Sequence, residues 1–114
     1  MSEPAPRVTR LPVKRRPPGA PRSIKTREAR DLWRGIVQQF VVEPHHRAIL
    51  EQACHALDRA IEARKLLDEQ GLTVAGQKGV MKMHPAAAVE RDSRVAVARL
   101  LRELNLDYET PSVP

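Results

Sequence analysis

Residues 26–41 read TREARDLWRGIVQQFV, and within them Ala29, Leu32, Trp33, Ile36, Val37, Phe40 and Val41 recur three and four positions apart. That period marks one apolar face of a helix. The stretch therefore predicts a helix from about Thr26 to Val41. Ser23 or Thr26 supplies a cap, and Glu28 and Asp31 near the start suit the positive end of the helix dipole. A lone Trp at core spacing reads as buried packing rather than as a platform for stacking bases.

Toward the C-terminus, Glu43-Pro44 closes this helix and opens a second, because proline is tolerated at the first helical position. The second helix is expected over 44–70, with Leu50, Ala53, Cys54, Leu57, Ile61 and one or both of Leu66 and Leu67 as its apolar stripe. Its remaining faces carry Glu51, Asp58, Arg59, Glu62, Arg64, Lys65, Asp68 and Glu69, a mixed-charge pattern that reads as solvated. Gly71 supplies a left-handed end, with Leu72 folding back as the apolar contact beyond it. Residues 72–83, with Gly76-Gln77-Lys78-Gly79 at the centre, predict a short β-hairpin. His84-Pro85 then repeats the device of Glu43-Pro44 and starts a third helix, 85–104. Its apolar side holds Ala86, Val89, Ala96, Val97, Leu100 and Leu104, widened by Val95, Ala98 and Leu101, and a face this broad calls for more than one neighbour. Asn105-Leu106 forms the left-handed cap with its apolar partner, and 107–114 is a loose tail.

Toward the N-terminus the character changes. Pro4, Pro6, Pro12, Pro17, Pro18 and Pro21 forbid a helix. Val8, Leu11 and Val13 are too few to offset the entropy of ordering, so 1–25 reads as a disordered, extended, basic arm. The formal net charge of the 114-residue chain is +6, but it is unevenly placed. Residues 1–27 hold Arg7, Arg10, Lys14, Arg15, Arg16, Arg22, Lys25 and Arg27 against Glu3 alone, a net of +7. The remaining residues hold twelve cations against thirteen acids, a net of −1. The fold class is thus mainly α: three helices with one hairpin between the second and third, in a body over 26–106, preceded by the arm.

Such an arm suits phosphate contacts and carries no base code of its own. Aromatic content of 3% argues against recognition of single strands by stacking, which leaves duplex DNA or an acidic protein surface. The eight cations of residues 1–27 are the candidate DNA-binding residues. No cofactor, metal site or catalytic set is expected. Four residues beyond His45 and His46 stand Ile49 and Leu50 rather than ligands, and Cys54 and His55 diverge by about 100° on a helix. Cys54 reads as buried packing. The glycine loop lacks the Ser or Thr that a phosphate loop needs after its Lys, and as a Gly-x-x-Gly clamp it would sit in the wrong context, between two strands. Ser2, Ser23, Ser93 and Ser112 lack a nucleophile motif. No apolar run reaches the roughly 18 residues that cross a bilayer, and neither a secretory signal nor a transit peptide is expected.

The succession Leu32-Trp33, the long second helix, Gly71-Leu72-Thr73-Val74, the glycine turn, Lys82-Met83-His84-Pro85-Ala86, Glu90-Arg91-Asp92 and Leu100-Leu101-Arg102-Glu103-Leu104-Asn105-Leu106 resembles a family of phage terminase small subunits over roughly residues 27–111. Asn105 stands where a glycine is expected; Asn tolerates the same left-handed conformation. The resemblance implies a non-enzymatic homo-oligomeric ring, without a membrane role, working in the host cell cytoplasm. It would bind double-stranded viral DNA and deliver it to the terminase large subunit, which holds the ATPase and nuclease activities. Two other readings fit the residues: an adaptor whose arm docks on an acidic partner, and a helix-turn-helix regulator with 41–45 as its turn. The second is disfavoured by the length and acidic start of the second helix.

Overall fold

A computed structural model describes residues 9–10 and 16–106 of the chain. Three helices carry the fold: α1 (Arg27–Gln39), α2 (Pro44–Gln70) and α3 (Pro85–Leu104). Strands β3 (Thr73–Ala75) and β4 (Met81–Met83) pair antiparallel between α2 and α3, with Thr73 opposite Met83 and Ala75 opposite Met81. The expected helices and hairpin are all present. An additional pairing joins β1 (Thr9–Arg10) to β2 (Phe40–Val41), antiparallel. It explains why α1 stops at Gln39 instead of continuing to Val41: Phe40 and Val41 are extended and bonded to the N-terminal strand.

Thr26 caps α1, its hydroxyl accepting the Ala29 N–H at 3.1 Å. Pro44 and Pro85 each stand at the start of their helix, as the missing N–H allows. His84 also caps α3 with its ring, Nδ1 accepting the Ala86 N–H at 2.9 Å. Nε2 lies 2.7 Å from Gln70 Oε1, a carbonyl acceptor, so the ring carries its proton there and ties the two helix ends together. Asn105 is left-handed at φ 51, ψ 56, and Leu106 packs on the core as expected. The end of α2 differs. Gly71 sits at φ 85, ψ 167, an extended conformation of the wrong hand for L residues rather than the left-handed helical one. Leu72 is accordingly turned outward, 61% exposed, and makes no apolar fold-back.

The principal core joins Ile24, Ala29, Trp33, Ile36, Val37, Phe40 and Val42 to Leu50 and Cys54 of α2 and Leu104 of α3. Farther along, α2 and α3 pack through small residues. Ala53, Ala56, Ala60, Ala63 and Leu67 are buried, spaced alternately by three and four, while the expected Ile61 is half-buried and Leu66 is exposed. Alanines contribute little to an apolar stripe read by size, yet their short side chains let two helix backbones approach. On α3 the buried positions are Ala86, Ser93 and Leu104, and Val89 and Val95 face outward.

The folded body begins before Thr26. Ile24 is fully buried, Ala20 packs on the core, and Trp33 Nε1–H donates to the Pro18 carbonyl at 3.0 Å. Residues 17–26 thus form a strap across α1 and α2 rather than the end of a free arm. Expectations for 1–8, 11–15 and the tail 107–114 lie outside the described residues.

Candidate nucleic-acid interface

The strap is fastened at one carboxylate. Asp58, read from sequence as part of a solvated face, is 8% exposed. Its Oδ2 accepts the Lys25 N–H at 2.8 Å, and its Oδ1 accepts the Thr26 N–H at 2.9 Å and the Thr26 hydroxyl at 2.6 Å. Burial opposes its ionisation, but the Thr26 hydroxyl, the two N–H donors and the nearby His55 outweigh it and hold the carboxyl below its ordinary range. The Thr26 hydroxyl therefore acts twice, donating to Asp58 while accepting from the first turn of α1. Arg30 Nη1 adds a bond to the Ile24 carbonyl at 2.7 Å.

This fastening determines where the candidate cations stand. Arg16, Arg22, Lys25 and Arg27 are all exposed along or beside the strap. Arg10 lies in β1, its backbone paired opposite Phe40; Arg7, Lys14 and Arg15 lie outside the described residues. Arg34, not singled out by the sequence reading, joins the exposed group. It sits two turns beyond Arg27 on the same face of α1, and Asp31 lies between them, 3.8 Å from Arg27 and 3.3 Å from Arg34. The spacing of 27, 31 and 34 on one helical face is the sequence signal for this group. One carboxylate shared by two exposed guanidinium groups leaves positive charge available for phosphate, and such exposed pairs hold each other weakly. A recess of about 260 Å³ opens between residues 17–20 and α1, walled by Arg30, Trp33, Arg34 and Gln38.

The remaining reactive groups serve structure. Ser23 Oγ lies 2.8 Å from His55 Nε2, with Glu51 Oε1 3.4 Å from the hydroxyl and 3.9 Å from that same nitrogen. A hydrolytic triad needs its acid on the other ring nitrogen, so this cluster pins the strap to α2. Trp33 is 2% exposed, and its indole is occupied by Pro18, which removes it as a stacking platform. Cys54 is buried; burial first, then the Asp58 and Glu51 carboxylates, push its thiol up to about 12. His45 and His46 stack at 4.1 Å between ring centres. His46 is buried with Nδ1 unpaired, and burial, then His45, lower its basicity against a smaller opposing effect of Glu43. Among the described residues no three potential ligands gather to hold a metal ion. Gly76-Gln77-Lys78-Gly79 is the turn of the hairpin. The Gly76 N–H donates to the Val80 carbonyl at 2.6 Å, and a β-carbon on residue 76 would meet that same oxygen at 2.6 Å. No helix among the described residues is long and apolar enough to cross a membrane.

The profile of the family described as phage terminase, small subunit, matches residues 29–112, nearly three quarters of the chain. The chain belongs to the phage terminase small subunit family. Its role is accordingly in phage DNA packaging, within a family that is generally non-catalytic. No curated protein and no solved structure matches it.

Proposed function

We propose that the chain is a non-enzymatic subunit that assembles into a ring, binds double-stranded viral DNA through its basic arm and strap, and delivers it to the terminase large subunit in the cytoplasm of the infected host. The observation that carries this reading is the segregation of charge: a net of +7 on residues 1–27 and −1 on the rest. Arg16, Arg22, Lys25, Arg27 and Arg34 continue the arm's charge onto a fixed edge of the body. Cations of this kind bind phosphate without reading bases. Copies in a ring would bring many arms to one duplex and raise affinity without any new contact. Specificity then comes from the spacing of the arms and from DNA shape.

The test is DNA affinity against salt for the full chain and for a variant lacking residues 1–15, which keeps the strap. That deletion removes Arg7, Arg10, Lys14 and Arg15. Each cation neutralising a phosphate contributes about −0.9 to the log–log slope, so the slope should flatten by roughly 3 to 4. Unchanged affinity and slope would move DNA recognition off the arm and overturn the reading. Charge removal at Arg16, Arg22, Lys25 and Arg27 together should weaken binding further, whatever the DNA sequence.

A further inference from the structure

The recess between residues 17–20 and α1 has fixed walls. Trp33, itself buried, donates its indole N–H to the Pro18 carbonyl, and Asp58 anchors the strap a few residues further on. The polar lining comes from α1, where Arg30, Arg34 and Gln38 follow one another every four residues on one face. No carboxylate lines the recess among the described residues. Arg30 is half-buried, and its Nη1 donates to the Pro21 and Ile24 carbonyls at 3.4 and 2.7 Å. Those neutral acceptors orient the guanidinium and leave its charge unbalanced, since Arg30 has no acid partner among the described residues. The Gln38 side chain likewise has no hydrogen bond among them. Asp31 meets Arg34 at 3.3 Å, but that pair is exposed and shared with Arg27, so it holds weakly. An oriented guanidinium without a counter-ion, a second one beside it and an unengaged amide together call for an anion.

We propose that this recess is a fixed seat for one phosphate group of duplex DNA, gripped by Arg30, Arg34 and Gln38. The inference rests on the DNA-binding part of the function proposed above and names a single place where that binding is positioned. Charge by itself draws phosphate without placing it. A guanidinium already held by two backbone carbonyls beside a buried indole loses little freedom on binding, so the phosphate it takes is fixed relative to the helical body. The planar fork of Arg matches phosphate oxygens in a way that the point charge of an ammonium does not. Because strap and α1 supply opposite walls, the seat exists while the strap is fastened, and register on DNA depends on the same contacts that hold residues 17–26 in place.

The test compares two neighbouring positions of α1 in the full chain. Gln38→Glu puts a carboxylate into the seat, whereas Gln39→Glu puts the same charge about 100° round the helix, outside the recess. Both residues are exposed in the last turn of α1, so effects on the general field and on the helix end are matched. Gln38→Glu should weaken binding of a mixed-sequence duplex roughly tenfold more than Gln39→Glu does. Arg34→Lys keeps the charge and loses the fork, and should weaken binding about fivefold with the salt slope unchanged. Trp33 lines the recess and is the chain's one tryptophan, so its emission reports on the seat. That emission should change when duplex is added to the unaltered chain, and also with inorganic phosphate when compared with chloride at equal ionic strength. Equal losses for the two Glu variants, or Arg34→Lys binding as tightly as the unaltered chain, would reduce the recess to part of a diffuse positive field; either overturns the seat and leaves DNA binding standing. A response to inorganic phosphate without one to duplex would assign the recess to free phosphate and overturn its role on DNA. Failure of the unaltered chain to bind duplex at all would overturn the seat and the DNA-binding reading together.

Discussion

Replacing Asp58 with alanine should detach the strap while leaving the α2–α3 pair intact. The substitution removes three hydrogen bonds to one carboxylate, from Lys25 N–H, Thr26 N–H and the Thr26 hydroxyl. Bonds to a charged group are worth about 1.5 to 3 kcal/mol each when the partner stays dry. Lys25 is exposed and Thr26 half-buried, so water reaches the freed donors and the net loss falls to roughly 3 kcal/mol. For a body of this size that corresponds to a drop of roughly 10 to 20 °C in Tm. The reporter is built in, because Trp33 is the chain's one tryptophan and its indole bonds to the Pro18 carbonyl of the strap. Asp58→Ala should shift Trp33 emission to the red at temperatures where helix content by circular dichroism is unchanged. Asp58→Asn, which keeps an oxygen for Thr26 but turns an amide toward the Lys25 N–H, should fall between. A Tm within about 1 °C of the unaltered protein, with unshifted Trp33 emission, would refute the claim that Asp58 fastens the strap.

Acid should reproduce the detachment. The folded Asp58 carboxyl lies below its unfolded value of about 3.9, so its stabilisation is fully present above that pH and is lost as pH falls through the folded value. Trp33 emission should therefore redden below about pH 4 in the unaltered chain, and this step should be missing in Asp58→Asn. His46, buried with lowered basicity, adds a separate loss of stability that begins as pH falls below about 6.5, earlier in the titration and present in both proteins. Cys54, with its thiol pushed up to about 12, should resist a disulfide reagent at pH 8 in the native protein and react once the chain is unfolded; rapid native reaction would contradict its burial.

Helix ends were the most legible part of the fold, because Pro44, Pro85, Thr26 and Asn105 act locally. Each satisfies or removes a backbone group within a turn of itself, and neighbours in sequence suffice to see it. What escaped was tertiary. Asp58 looks like any other charge on α2 until Lys25 and Thr26 arrive from more than thirty positions away. Ala56, Ala60 and Ala63 carry too little apolar area to stand out from the pattern, although their smallness is what brings α3 close. Residues 17–24 looked unfoldable by composition, and they fold because Trp33 and the core that buries Ile24 provide the partners that a proline-rich segment lacks on its own. The basic arm was legible as charge alone. Arg34 gives no such signal, because it lies on a helix whose pattern is dominated by its opposite, apolar face.

Leu104 is fully buried in the same core as Trp33 and Ile24, and Leu101 and Leu106 pack against that core. The core around the N-terminal helix is therefore completed by nearly the last described residues of the chain. During synthesis α1 leaves the ribosome first, and its Trp33 face waits for a closing residue made about seventy positions later. The core therefore closes through a contact of high sequence separation, the kind whose loop-closure cost slows folding.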